Sequence, residues 1–215
     1  KEMTGPLHIG LIPTVGPYLL PYIVPTLKET FPDLEVFLYE AQTHQLLEQL
    51  ETGRLDCAIV ARVPEAEAFI EVPIFDEKML LAVSDQHPWA SESKIAMNTL
   101  KGQEMLMLDD GHCLRNQALD YCFTAGAKED SHFQATSLET LRNMVAANAG
   151  ITFMPELAVL NEGTRAGVKY IPCHSPEPSR TIALVYRPGS PLRNRYERVA
   201  SAVSEQVKSI LANKK

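Results

Sequence analysis

The sequence predicts an α/β fold in two subdomains, and three observations lead there. Short apolar runs alternate with longer segments whose apolar residues recur at helical spacing, the pattern of βα units around a parallel sheet with right-handed crossovers. The alternation falls into two clusters joined by extended segments near "FIEVPIFDEK" and "HSPEPSRTIALVY", with a strand and a helix left over at the end. The chain therefore leaves its first subdomain and later returns to it. Finally, 215 residues at 45% hydrophobic composition suffice for one sizeable core or two small ones. The expected units are two Rossmann-like subdomains with crossover connections, residues 1–75 with 182–215 and residues 76–181.

The elements follow in order. "LHIGLI", Leu7 to Ile12, is an apolar strand stopped by Pro13. In "TVGPYLLPYIVPTLKETF", Leu19, Leu20, Ile23, Leu27 and Phe31 recur at helical spacing, with Pro17 in the first turn, where its missing N–H costs nothing. "LEVFLYE", Leu34 to Glu40, is a strand. Thr43 can cap a helix carrying Leu46, Leu47 and Leu50, Gly53 can end it, and "LDCAIVA" is the next strand. "KMLLAVS" (Lys78 to Ser84) and "EMLMLD" (Glu104 to Asp109) are strands, followed by a helix bearing two cysteines and by the strand "SHFQA", Ser131 to Ala135. Thr136 with Glu139 forms a capping box before a helix whose stripe is Leu138, Leu141, Met144 and Val145, ended by Gly150. "ITFMP" and "RTIALVYR" are strands. Ser190 and Pro191 then open a long amphipathic helix bearing Leu192, Tyr196, Val199, Val203, Val207 and Ile210.

Composition and charge exclude several functions. No stretch approaches a transmembrane span, so no membrane role is expected, and "KEMTGPLHIG" has no apolar signal region. The chain starts at Lys1 rather than Met, which reads as an excised domain or a processed product. A net charge of -7 without a basic recognition helix argues against this piece binding DNA alone. Cys57, Cys113, Cys122 and Cys173 show neither C-x-x-C nor zinc-ribbon spacing, and do not read as a secreted disulfide scaffold; a reducing cytoplasm fits better.

In such folds ligands bind at the carboxyl ends of strands and the N-termini of helices, where "IPTVG", "EAQTHQ" and "DDGHC" fall. No phosphate loop occurs, and no cofactor is implied. The segment "LMLDDGHCLRNQALDYCFTAG" puts Cys113 and Cys122 nine positions apart on one helix. Nine residues advance a helix by about 13.5 Å and turn it two and a half times, so the sulfurs point in opposite directions. A disulfide needs Cα atoms within about 7 Å and cannot form while the helix stands.

Several chemistries are open to these residues. The thiolate is the reactive form of cysteine; a helix N-terminus and Arg115 favour it at Cys113, whereas Asp109 and Asp110 oppose it. The two cysteines can also be small core hydrophobes, or, with His112 and His132, a zinc set lacking the usual close ligand pairing. A thiol enzyme using Cys113 and His112 is disfavoured because adjacent helical residues point about 100° apart. Cys57 and Cys173 read as structural, and His8, His44, His87 and His174 form no constellation.

"GPLHIGLIPTVGPYLLPYIVPTLKETFPDLEV" with "THQLLEQLETGRLDCAIV" resembles the effector domain of LysR-type transcriptional regulators. "DDGHCLRNQALDYCF", "ATSLETLRNMVAANAGITFMP" and "RTIALVYRPGSPLRNRYE" resemble the peroxide-sensing members of that family. The resemblance implies a fold of periplasmic-binding-protein type and a regulator rather than an enzyme. It implies that Thr14, Thr43, Gly111 and His112 line a hydrogen peroxide pocket and that Arg180 approaches the thiolate. Cys113 would then be oxidised to a sulfenic acid and Cys122 would resolve it to a disulfide, which requires the helix held by Leu114, Leu119, Tyr121 and Phe123 to unwind. A homodimer of this domain, a homotetramer of the full-length protein, and a glutaredoxin or thioredoxin-type reductant are implied as well. DNA and RNA polymerase would be reached only through the full-length protein, whose winged helix-turn-helix and linker helix are absent here. The competing expectation is an effector or solute-binding module with a small organic ligand in its cleft.

Overall fold

The computed structural model describes residues 2–161 and 167–213. Its strands are β1 (Gly5–Leu11), β2 (Leu34–Glu40), β3 (Cys57–Ala61), β4 (Ile70–Ser84), β5 (Glu104–Leu108), β6 (Lys128–Ala135), β7 (Thr152–Pro155), β8 (Val168–Ile171) and β9 (Ser179–Tyr186). Its α-helices are α1 (Gly16–Thr30), α2 (Thr43–Glu51), α3 (Cys113–Ala125), α4 (Leu138–Ala146), α5 (Glu156–Leu160) and α6 (Arg193–Ala212). Two compact units result: Lys1–Asp76 with Thr181–Lys215, and Glu77–Arg180. The chain passes from one to the other within β4 and returns within β9.

In the first unit the strand order is β2-β1-β3-β9, with β1 parallel to β2 and β3 and with β9 antiparallel to β3. Every residue of β3 is buried, which is why this strand reads as an unbroken apolar run. Helix α1 buries Leu19, Ile23 and Leu27 and packs against α6, while Leu20 is only half-buried. Pro21 and Pro25 sit inside α1 on its exposed face, where water can take over the carbonyl bonds they remove. The cap of α2 is Gln42, in a reciprocal box with Gln45; Thr43, expected as the cap, is the first helical residue and is buried. Helix α6 starts at Arg193 rather than at Ser190 and Pro191, and buries Tyr196, Val199, Ala200, Val203 and Val207.

In the second unit β4 pairs antiparallel with β7 and β8, and β5 pairs parallel with β6. The expectation of parallel sheets thus holds for β1, β2 and β3 and for β5 and β6. It fails at β7, β8 and β9, which pair with neighbours running the other way. Ser137, not Thr136, caps α4, its Oγ accepting the Thr140 N–H at 3.2 Å. That helix ends at Ala146, with Asn148 in the left-handed region at φ 58°. Gly150 serves packing instead of termination: a Cβ there would lie 2.7 Å from Leu106 Cγ. Strand β8 and helix α5 were not anticipated, because each has only four or five residues and too short a period to register. Among the described residues no helix is long and apolar enough to cross a membrane.

Candidate functional site

Helix α3 begins where β5 ends. The Asp109 N–H donates to Ala135 O at 2.8 Å, closing β5 against β6, and the chain then turns through Gly111 at φ 95°, a left-handed conformation that glycine adopts without a Cβ clash. His112 is the N-cap in extended conformation, and Cys113 is the first helical residue, half-buried. Cys122 lies in the last turns of α3 with no exposed surface, and Gly126 at φ 79° ends the helix. All four cysteines are thiols. With α3 intact, the helical rise keeps Cys113 and Cys122 about 13.5 Å apart along the axis, on opposite faces.

The charged groups around Cys113 are engaged with one another. His112 is 6% exposed, and its Nε2 lies 3.2 Å from Asp109 Oδ1, at ion-pair distance though not in hydrogen-bond geometry. Arg115, expected to act on the thiolate, has its guanidinium committed elsewhere. Its two terminal nitrogens reach Glu129 Oε1 and Oε2 at 2.7 and 2.8 Å, Nη1 also donates to Leu108 O at 2.8 Å, and Nε is 3.1 Å from Asp110 Oδ1. The arginine bond holds the Glu129 carboxyl below its usual range. Near the other end of α3, the Tyr121 hydroxyl donates to Ser179 O at 3.0 Å and accepts the Ser179 N–H at 3.1 Å.

Cys122 Sγ lies 3.2 Å from Met105 Sδ on β5, and burial pushes the thiol up to about 12. Cys57 is pushed up further by burial and by Asp56, and Cys173 to about 11, chiefly by burial, so neither offers a thiolate near neutral pH.

Arg180 is not a solvated strand-edge charge. It is 4% exposed; its Nε donates to Glu77 Oε1 at 2.9 Å and Nη2 lies 2.9 Å from the same oxygen, while Glu77 Oε2 accepts the Leu157 N–H at 3.2 Å. In the first unit, Thr14 follows β1 and Thr43 opens α2 after β2; both are buried and lie beyond the carboxyl ends of adjacent parallel strands. The zinc set His112, His132, Cys113 and Cys122 does not assemble. Among the described residues the only such group with ligand atoms within 4.8 Å of one another is Glu104, Asp130 and His132, the first and last of them exposed. The Arg115–Glu129 pair, the Tyr121–Ser179 tie and the Met105 contact escaped the sequence reading, since each joins residues of different elements with no local spacing.

Residues 1–208 match the family described as "LysR substrate binding domain". The chain is 92% identical over 211 residues to the "Hydrogen peroxide-inducible genes activator" of Haemophilus influenzae, covering 98% of this chain and 70% of that protein. Among solved structures, it superposes on the oxidised form of OxyR with a TM-score of 0.89 at 63% identity. The reduced form of OxyR gives 0.90 at 60%, and each alignment covers 98% of this chain and 99% of the other. Matched domain, overall likeness and identity agree: the chain belongs to the LysR substrate-binding domain family and, within it, to the OxyR group.

Proposed function

We propose that this chain is the redox-sensing regulatory domain of a LysR-type transcription activator that responds to hydrogen peroxide. The carrying observation is the placement of two thiols on one helix: Cys113 half-buried at the first position of α3, Cys122 sealed in its last turns. The Cys113 thiolate attacks one peroxide oxygen, the O–O bond breaks, and the departing hydroxide is protonated to water, leaving a sulfenic acid. The Cys122 thiolate then attacks the sulfenic sulfur; the S–O bond breaks and a second hydroxide leaves as water with the proton Cys122 lost. Because α3 keeps the sulfurs apart, the second step requires the helix to unwind. The free energy of peroxide reduction is thereby converted into a change of fold.

This reading takes Thr14, Thr43, Gly111, His112 and Arg180 as its candidates for peroxide contact. Their support is position and polarity: His112, Arg180, Thr14 and Thr43 are polar residues each at most 6% exposed, and Thr14 and Thr43 follow the carboxyl ends of strands, where ligands of such folds bind. The two units serve as regulatory subdomains of a cytoplasmic homodimer, tetrameric in the full-length protein, which reaches DNA and RNA polymerase through its other domains. A dithiol reductant of glutaredoxin or thioredoxin type restores the thiols. The protein is a regulator, consumed once per cycle, rather than an enzyme.

Mass spectrometry before and after one equivalent of peroxide tests the proposal. A Cys113–Cys122 disulfide in the wild type, no oxidation product in Cys113→Ser and a trapped sulfenic acid in Cys122→Ser are expected. A regulatory disulfide through Cys57 or Cys173 in Cys113→Ser would refute it.

A further inference from the structure

We infer that Met105 is a positioning residue for the resolving thiol: its thioether accepts the Cys122 S–H and keeps that sulfur parked in the β5 side of the core until α3 opens. The inference rests on the two-cysteine reading above. Both residues are wholly buried, with Sγ and Sδ 3.2 Å apart. Met105 is the fixed member of the pair. Its strand is hydrogen-bonded to β6, and Met105 itself bridges to Ile151, so its backbone is tied on both sides. Cys122 is the mobile member, carried by the helix that has to unwind.

The chemistry of the pair sets what it can hold. A thioether carries no positive charge and no N–H, so it serves a neutral thiol as a weak acceptor and does nothing for a thiolate. Desolvation is the cause that raises the Cys122 thiol, in keeping with surroundings that favour the protonated form. While parked, Cys122 is therefore both remote from Cys113 and in the wrong protonation state to attack. When α3 opens, the thiol leaves Met105, loses its proton to solvent and attacks the Cys113 sulfenic sulfur; hydroxide departs from that sulfur and leaves as water. Met105 acts on this second step alone. It slows resolution in the closed fold and stabilises the reduced form against the disulfide.

Met105→Leu keeps the apolar volume and removes the acceptor, a swap cores tolerate well; Met105→Ile is a second sulfur-free variant. With one equivalent of peroxide and rapid quenching, loss of the Cys113 thiol should proceed at the wild-type rate. Disulfide formation should rise by roughly threefold, the scale of one neutral hydrogen bond. In glutathione buffers the oxidised fraction should shift toward disulfide by a similar factor. In a Cys122→Ser background, the lifetime of the Cys113 sulfenic acid should not respond to Met105→Leu, whereas general loosening of the domain would shorten it. Unchanged disulfide kinetics, or both steps altered together, would overturn the role of Met105. A wild type that forms no Cys113–Cys122 disulfide would instead overturn the underlying reading, and the inference with it.

Discussion

Helices α3 and α6 are fastened by different physics. Helix α6 has 20 residues and buries Tyr196, Val199, Ala200, Val203 and Val207 along one stripe, with Arg195 donating to the carbonyls of Glu2, Thr4 and Pro6. Helix α3 has 13 residues and buries only Leu114, Ala118 and Cys122. Phe123, expected among its anchors, is 66% exposed, and Leu119 and Tyr121 are half-buried. Beside α3, a small open cleft of about 10 Å³ lined by Leu114, Ala118, Leu141 and Phe153 among others is barely large enough for one water. Since most helical stability in proteins comes from a packed apolar face, α6 is held by its stripe and α3 largely by point ties, Arg115 to Glu129 and Tyr121 to Ser179. A helix held by a few directional contacts is released at a smaller cost than one held by a continuous stripe.

The comparison can be broken at its strong end. Tyr196→Ala removes a buried ring that sits 5.0 Å from the Tyr186 ring, and should cost about 4 kcal/mol of global stability. Thermal unfolding should show the loss, while the glutathione equilibrium of the two cysteines keeps its wild-type value. Leu114→Ala comes next, at about 2 to 3 kcal/mol, because it truncates one of the few buried side chains of α3. Unlike Tyr196→Ala, it should make the disulfide harder to reduce, since it weakens α3 in the reduced form alone. A less negative potential in that variant would show that α3 stores no opposing energy.

Arg115→Ala tests the polar fastening. It leaves Glu129 without its bidentate partner and should shift the thiol–disulfide equilibrium toward the disulfide by about 2 kcal/mol, the scale of bonds to charged groups. The pH dependence sharpens this. The arginine bond depresses the Glu129 carboxyl below its ordinary value of 4.5, so its contribution is fully present above that pH and is lost as pH falls through the lower folded value. Wild type and Glu129→Gln should therefore differ in α3 stability at pH 7 and converge in strong acid. Hydrogen exchange of the α3 amides reads both. The smallest effect is expected from Tyr121→Phe, which removes the hydroxyl bonds to Ser179 for about 1 kcal/mol, seen as faster exchange confined to the C-terminal half of α3.

Local order in this protein was legible wherever the determining physics is local. Short apolar runs and helical spacing marked β1, β2, β3, α2, α4 and α6 to within a few residues, and the helical spacing of Cys113 and Cys122 followed from chain geometry alone. The double crossing of the chain was visible in the order of its clusters. What the tertiary structure decided is pairing across distance. The antiparallel partners of β4 and β9, the short elements β8 and α5, and the use of Gly150 for close packing depend on neighbours that no window of sequence contains. The same holds at the candidate site. Sequence put Arg115 two residues from Cys113, yet its charge goes to Glu129 on β6. No sequence pattern set Met105 beside Cys122, yet folding packs the thiol against that thioether. Which side chains a charge or a thiol meets in the core is settled by how strands and helices stack, because those contacts join residues many positions apart and leave no periodic trace.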